Sequence, residues 1–255
     1  MRITKLIIAL LVCASSTVTL AAWHHSVDKF GVKHSKPYKR GNFYLGAGGG
    51  MSSLMVNYSQ VSAAAYKPIA YQSTVNNLFP AVQLGYWGCF SSKWMWGAKA
   101  FYKYLGASSN YILSAGSNIV MGYGWSHNED AQIPHEVGGL LTFGASLAHF
   151  KPYIGLGILW LPTVKDTLHS NNENTTNTSY LPGFDFQTRK SFVGGLVQLG
   201  FLYDLSPKWF VDGVYSFGLT GRSTFSQTIS SITLSRRIRV TAQEIMMSIN
   251  RRFTF

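Results

Sequence analysis

Acidic side chains, cysteine and long apolar runs are all scarce in this chain of 255 residues. Ten Asp and Glu stand against 22 Lys and Arg, and charged residues of both signs make up only 13%. That low charge, set beside 15% aromatics and 25 glycines, argues against a disordered chain and for a glycine-rich β protein. The formal charge of +12 is spread along the sequence and forms no basic helical stripe, which argues against a nucleic-acid partner. The two cysteines, Cys13 and Cys89, rule out a disulfide framework and a Cys-rich metal site. The His24-His25 pair lacks a third ligand. No metal or other cofactor is therefore expected. No stretch supplies the roughly twenty apolar residues of a membrane-spanning helix. The apolar run Leu6 to Val12 follows Arg2 and Lys5 and precedes the small residues Ser15, Ser16, Thr17, Ala21 and Ala22. Residues 1–22 accordingly read as a signal peptide. Val12 before Cys13, where a lipoprotein signal wants a small residue, argues against lipidation.

What the chain does have is alternation, and its last stretch carries the clearest case. Phe255, Phe253, Arg251, Ile249, Met247 and Ile245 share one parity; Thr254, Arg252, Asn250, Ser248, Met246 and Glu244 share the other. Apart from Arg251 and Met246, an apolar face opposes a polar one at period two, the signature of a strand. Its length exceeds the five or six residues usual in soluble domains. It suits a tilted strand that crosses a bilayer with lipid on one side and a polar lumen on the other.

Seven similar segments precede it, at about 41–53, 76–89, 93–106, 136–148, 151–162, 189–204 and 208–220. Short links at 90–92, 149–150 and 205–207 alternate with long polar ones at about 54–75, 107–135, 163–188 and 221–237. This rhythm predicts an all-β fold: an eight-stranded antiparallel up-and-down transmembrane β-barrel over 41–255, with tight periplasmic turns and longer outer loops. The even strand number puts both termini on the periplasmic side. Residues 23–40, polar and basic, read as a periplasmic arm with neither apolar periodicity nor a helix cap. Tyr111-Ile112-Leu113 and Ile119-Val120-Met121 are too short to span and suggest a hairpin above the membrane.

The bulky parity should face lipid, because the other parity is dominated by Gly, Ser, Thr, Gln and charged residues that suit a narrow, filled lumen. Trp94, Trp96, Tyr102, Tyr104, Tyr153, Trp160, Tyr203 and Trp209 fall near strand ends, where interfacial girdles sit. A desolvated lumen needs charge compensation. Lys99, Lys103, Asp212, Glu244 and Arg252 lie on the inward parity. Strand heights suggest that Asp212 pairs with Arg252, and Glu244 with Lys99 or Lys103. Arg222, Arg236 and Arg237 fall near the outer rim and are candidates for contact with lipopolysaccharide phosphates.

The runs Asn42-Phe43-Tyr44-Leu45-Gly46-Ala47-Gly48-Gly49-Gly50, Lys151-Pro152-Tyr153-Ile154-Gly155-Leu156-Gly157 and Arg252-Phe253-Thr254-Phe255 resemble the OmpA-like and OmpX-like outer-membrane β-barrel superfamily. The resemblance covers about 41–255. It implies residence in a bacterial outer membrane and a C-terminal signal, here Ile245, Met247, Ile249, Phe253 and Phe255, read by the β-barrel assembly machinery. The superfamily includes membrane-stabilising proteins, adhesins and serum-resistance factors. The expectation is thus a non-enzymatic barrel with a structural role or with surface binding through four outer loops, in contact with outer-membrane lipid and an unidentified host or surface ligand. Two alternatives accompany it. One is a lipid A deacylase or acyltransferase, but no His-x-Ser arrangement falls on an alternating segment: Ser126-His127 and His169-Ser170 are directly adjacent and fall in the long links. The other is a narrow pore, disfavoured because eight strands leave a lumen that side chains fill.

Overall fold

The computed structural model describes residues 41–62, 69–89, 93–118, 123–147, 149–173, 184–229 and 232–253. The expected signal peptide, the basic arm, Phe255 and the run Ile119-Val120-Met121 lie outside them. The strands are β1 (Asn42–Ser62), β2 (Ile69–Cys89), β3 (Trp94–Asn118), β4 (Tyr123–Ala145), β5 (Phe150–Glu173), β6 (Phe184–Asp204), β7 (Trp209–Thr220), β8 (Ser223–Ile229) and β9 (Ile232–Phe253). Consecutive strands pair antiparallel from β1 to β7. β7 and β8 both pair with β9, on its C-terminal and N-terminal parts respectively, so together they form one wall strand interrupted at Gly221-Arg222. β1 closes on β9 from Phe43 opposite Phe253 to Ser62 opposite Leu234. The result is the closed eight-stranded antiparallel barrel that the alternation predicts.

The strand ends Cys89 and Trp94, Ala145 and Phe150, and Asp204 and Trp209 gather at one end of the barrel, called here the turn end, together with Asn42 and Phe253. The strands' other ends form the hairpin end. Alternation dictates which side chains point where. On β9, Ile245, Met247, Ile249 and Phe253 are exposed on the outer wall, while Glu244, Met246, Ser248 and Asn250 are buried in the lumen. Leu45 and Met51 on β1, Val82 and Leu84 on β2, Leu141 on β4 and Leu156 on β5 continue the same exposed apolar band. Trp94, Trp209 and Tyr203 border it at the turn end; Tyr102, Tyr104 and Trp160 border it at the hairpin end. The separation of the two rings, about ten residues along a strand, matches the roughly 25 Å apolar height of a membrane barrel. Tyr153 does not belong to either ring. It sits on the inward parity of β5 and is buried in the lumen.

The strands are much longer than the alternating segments suggest, with 21 to 25 residues in each of β1 to β6. Most of what reads as long polar loops is a continuation of the sheet. β3 and β4, for instance, pair from Trp94 opposite Ala145 to Asn118 opposite Tyr123. Tyr111, Ile112 and Leu113 pair with Glu129, Asn128 and His127, which makes the hairpin beyond the membrane an extension of the wall itself. The physical reason for the mismatch is an inversion of amphipathic sense. Beyond the apolar band the lumen becomes apolar, with Leu54, Val56, Leu105, Ile133, Leu161 and Phe225 buried inside it. The outer wall there becomes polar, with Gln72, Thr74, Asn76, Thr224 and Ser226 exposed. Water, not lipid, is the solvent at that height, so the soluble-barrel arrangement is the stable one.

On three strands the change of sense coincides with an irregularity. Register shifts fall between Tyr104 and Ala107 on β3, where Gly106 takes a positive φ of 57°, and between Leu161 and Val164 on β5. The interruption at Gly221-Arg222 is the third. Leu219 lies opposite Thr241 and Ser223 opposite Ile238, so β7–β8 carries one extra residue, a β-bulge. The Thr220 hydroxyl locks it, accepting the Val240 N–H at 2.9 Å and donating to the Val240 carbonyl at 3.1 Å. Past the bulge the inward parity switches from even to odd, which turns Phe225 into the lumen and Thr224 outward.

Candidate functional site

The polar part of the lumen holds its charged residues in three layers. Nearest the turn end, Asp204 takes both Lys151 and Arg252 as partners. Arg252 also lies over the Phe210 and Trp87 rings, 4.8 Å and 5.0 Å from their centroids. Asp212 therefore does not pair with Arg252 as strand heights suggest. Register explains the difference: Asp212 stands opposite Ser248, four residues along β9 from Arg252, and Asp204 at the end of β6 is closer to the rim.

The middle layer centres on Asp212. Its Oδ2 is 3.0 Å from Lys99 Nζ, and its Oδ1 accepts the Tyr153 hydroxyl at 2.7 Å. Lys99 also donates to the Tyr153 oxygen at 2.8 Å. Gln83 Nε2 lies within hydrogen-bonding distance of Asp212, Ser248 and Asn250, at 3.0, 2.7 and 2.8 Å. A primary amide has only two protons, so it serves two of these acceptors at a time.

Further towards the hairpin end, Lys103 sits between two carboxylates. It donates to Glu136 at 2.6 Å and to Glu244, and its ammonium lies 4.3 Å from the Phe101 ring centroid. Glu136, a member that sequence reading missed, lies on β4 directly opposite Lys103. Its inward parity is the signal for it, but Glu136 falls at the edge of its alternating segment, where parity is least marked. Above this layer the lumen closes with apolar side chains. An ion pair interrupts them, Arg236 Nη1 to Asp166 Oδ2 at 2.9 Å, with the Arg236 guanidinium 4.4 Å over the Tyr58 ring. Arg236 is fully buried. It cannot reach a lipopolysaccharide phosphate, in contrast to Arg222 and Arg237, which are exposed on the outer wall. The even parity that places Glu244 inward places Arg236 inward too.

Asp212, Glu136, Arg236 and Asn250 are all 0% exposed, and Lys103 is 1% exposed. A water-filled channel past any of these levels would leave them accessible. Beside Tyr44, Lys99 and Tyr153 the lumen keeps a void of about 10 Å³, no more than one water needs. The larger cleft, about 380 Å³, lies on the wall between β1, β9 and the β7–β8 interruption, lined by Asn57, Ser59, Arg222, Arg237, Arg239 and Thr241. Among the described residues no group of three or more His, Cys, Asp or Glu is placed to hold a metal ion. Ser126-His127 and His169-Ser170 lie on paired strands, not in loops, with His127 opposite Ser170.

A closed sheet with an outward apolar band, two aromatic rings and a charge-compensated lumen defines a transmembrane β-barrel of eight strands. The chain matches no protein-family model and no curated protein. Among solved structures it is similar to the outer membrane protein OprG from Pseudomonas aeruginosa, at 15% identity over 86% of this chain and 98% of that one, with a TM-score of 0.49. It is similar also to Neisserial surface protein A, at 12% identity over 84% and 100% with a TM-score of 0.36. The outer membrane protease OmpT from Escherichia coli is a third, at 8% identity over 89% and 100% with a TM-score of 0.37. At these identities and scores the likeness adds nothing about what the chain does.

Proposed function

We propose that this chain is a non-enzymatic integral protein of a bacterial outer membrane, a filled barrel that serves as a rigid membrane anchor and carries its binding function on the surfaces outside the lumen. The observation that carries this reading is the burial of the lumen's charged residues at every level from Asp212 to Arg236. A pore needs a continuous wet path, and an enzyme needs its acids and bases open to substrate. Lys103 bridges Glu136 and Glu244 out of contact with solvent. Both chain ends facing the periplasm, and assembly through the aromatic-ended last strand by the barrel assembly machinery, belong to the same reading. Reconstitution into planar bilayers tests it: no steady conductance is expected, and openings of porin size would contradict it. A parallel comparison of lipid A from cells with and without the gene should show identical acylation; a changed pattern would favour an enzyme.

A further inference from the structure

The wall cleft at the β7–β8 interruption is where the structure departs from a plain barrel. Arg237 and Arg239 project outward two residues apart on β9, roughly 7 Å along the strand. They stand opposite Ser59 and Asn57 of β1. The bulge carries Arg222 out on the neighbouring strand beside them, and the Arg239 Nε is anchored on the Thr220 carbonyl at 3.2 Å. The cleft of about 380 Å³ among them is lined further by Thr241, with the buried Tyr58 and Ile238 contributing its floor. Among the described residues, none of the three arginines is ion-paired with a carboxylate. Three like charges converging on a concave surface repel one another, and an anion seated between them relieves that repulsion.

The height of the cleft matters as much as its charge. Along the outer face of β9 the order from the turn end is Phe253, Arg251, Ile249, Met247, Ile245, Gln243, Thr241, Arg239, Arg237. Met55 and Leu219, opposite Thr241 on either side, carry apolar side chains to that level. The arginines begin at the next outward position. They therefore stand just past the hydrocarbon band, where lipid head groups lie. Arginine's planar fork matches phosphate oxygens in pairs, and Ser59, Asn57 and Thr241 offer further donors.

We propose that Arg222, Arg237 and Arg239 form a phosphate-binding site that takes the phosphorylated head group of an anionic membrane lipid on the outside of the barrel. The proposal rests on the membrane-barrel reading. Its test uses the whole protein folded in detergent micelles, with the electrophoretic shift on heating as the check that each variant is folded. Binding is measured by calorimetry to lipid A carrying its phosphates, to lipid A stripped of them, and to inorganic phosphate. Wild-type protein is expected to bind the phosphorylated lipid. Affinity should fall roughly ten- to a hundredfold on removing the phosphates, and by a similar factor in Arg222→Gln/Arg237→Gln. Lys208→Gln, exposed at the turn end, should bind as wild type does. Equal binding by the double variant, equal binding of the stripped lipid, or no binding at all would overturn the proposal. Inorganic phosphate binding as tightly as the lipid would overturn the head-group assignment in favour of a soluble anion. Insertion into lipid vesicles separates the two readings: a barrel that inserts but does not bind fails the site alone, and one that does not insert fails the membrane reading.

Discussion

Lys99 of β3 and Asp212 of β7 meet at 3.0 Å although three strands separate them in either direction around the barrel. The pair spans the full width of the lumen and ties opposite walls together. Removing one partner leaves the other charged and desolvated, which costs about 3–5 kcal/mol. Asp212→Ala should lower the unfolding free energy in lipid vesicles by that order. Lys99→Met/Asp212→Leu, which fills the space with apolar atoms, should recover much of the loss. A single variant as stable as wild type would show that the pair is not formed.

Arg236 and Arg237 are neighbours in sequence and face opposite sides of the wall, Arg236 the closed lumen and Arg237 the outside. Arg236→Gln leaves Asp166 without its guanidinium inside the apolar part of the lumen and should destabilise the barrel by about 3 kcal/mol. Arg237→Gln should change unfolding by no more than about 0.5 kcal/mol, because exposed charges contribute little to stability. Urea unfolding of the two variants side by side distinguishes them, and equal effects would mean that the parity of β9 is misassigned.

The apolar band makes a depth-dependent prediction. Met247 is 59% exposed at mid-band, and Thr224 is exposed past it. Met247→Arg should cost about 2–4 kcal/mol of folding into vesicles, and Thr224→Arg roughly nothing. Refolding yield and urea midpoint in vesicles measure both.

Gly138 is a packing glycine. Any side chain there meets the Phe101 ring, which lies beneath the Lys103 ammonium. Gly138→Val should displace that ring and cost about 1–3 kcal/mol by overpacking. Gly195, with nothing near its would-be Cβ, should accept valine with little change in the same unfolding assay.

The membrane-crossing half of the fold was legible because lipid outside and polar groups inside give the same sign of alternation on every strand. Phe43, Leu45, Val82, Leu84, Ile245 and Met247 all announce their face by parity alone. The other half was hidden by the inversion. Leu54, Val56 and Tyr58 alternate as faithfully as Phe43 and Leu45 do, but with the apolar side turned inward. A reader tracking one sign sees the pattern dissolve into a loop. The bulge at Gly221-Arg222 shifts parity by one residue and breaks the pattern again. Among the lumen charges, inwardness could be read for Lys99, Lys103, Asp212 and Glu244, since it depends only on parity. Pairing could not, because it depends on register across the lumen, which sets Asp212 against Lys99 and not Arg252. Tyr153 is ambiguous in sequence because an aromatic near a strand end satisfies both descriptions, girdle residue and lumen donor. Its odd parity on β5 decides between them.

The inversion of the wall beyond the lipid has a mechanical consequence. Because β1 and β9 stay in one unbroken register from Phe43 to Ser62, the projecting part of the protein is a pedestal, continuous with its own foundation. The nine residues from Leu54 to Ser62 raise it by roughly 20 Å at ordinary strand rise and tilt. A loop on a flexible tether surrenders conformational freedom whenever it grips a partner. Here most of that ordering is completed when the barrel folds, so whatever docks on the sides of the pedestal meets a surface already held in shape. Pulling on such a surface loads the sheet directly, and the force passes into the membrane-embedded ring without slack.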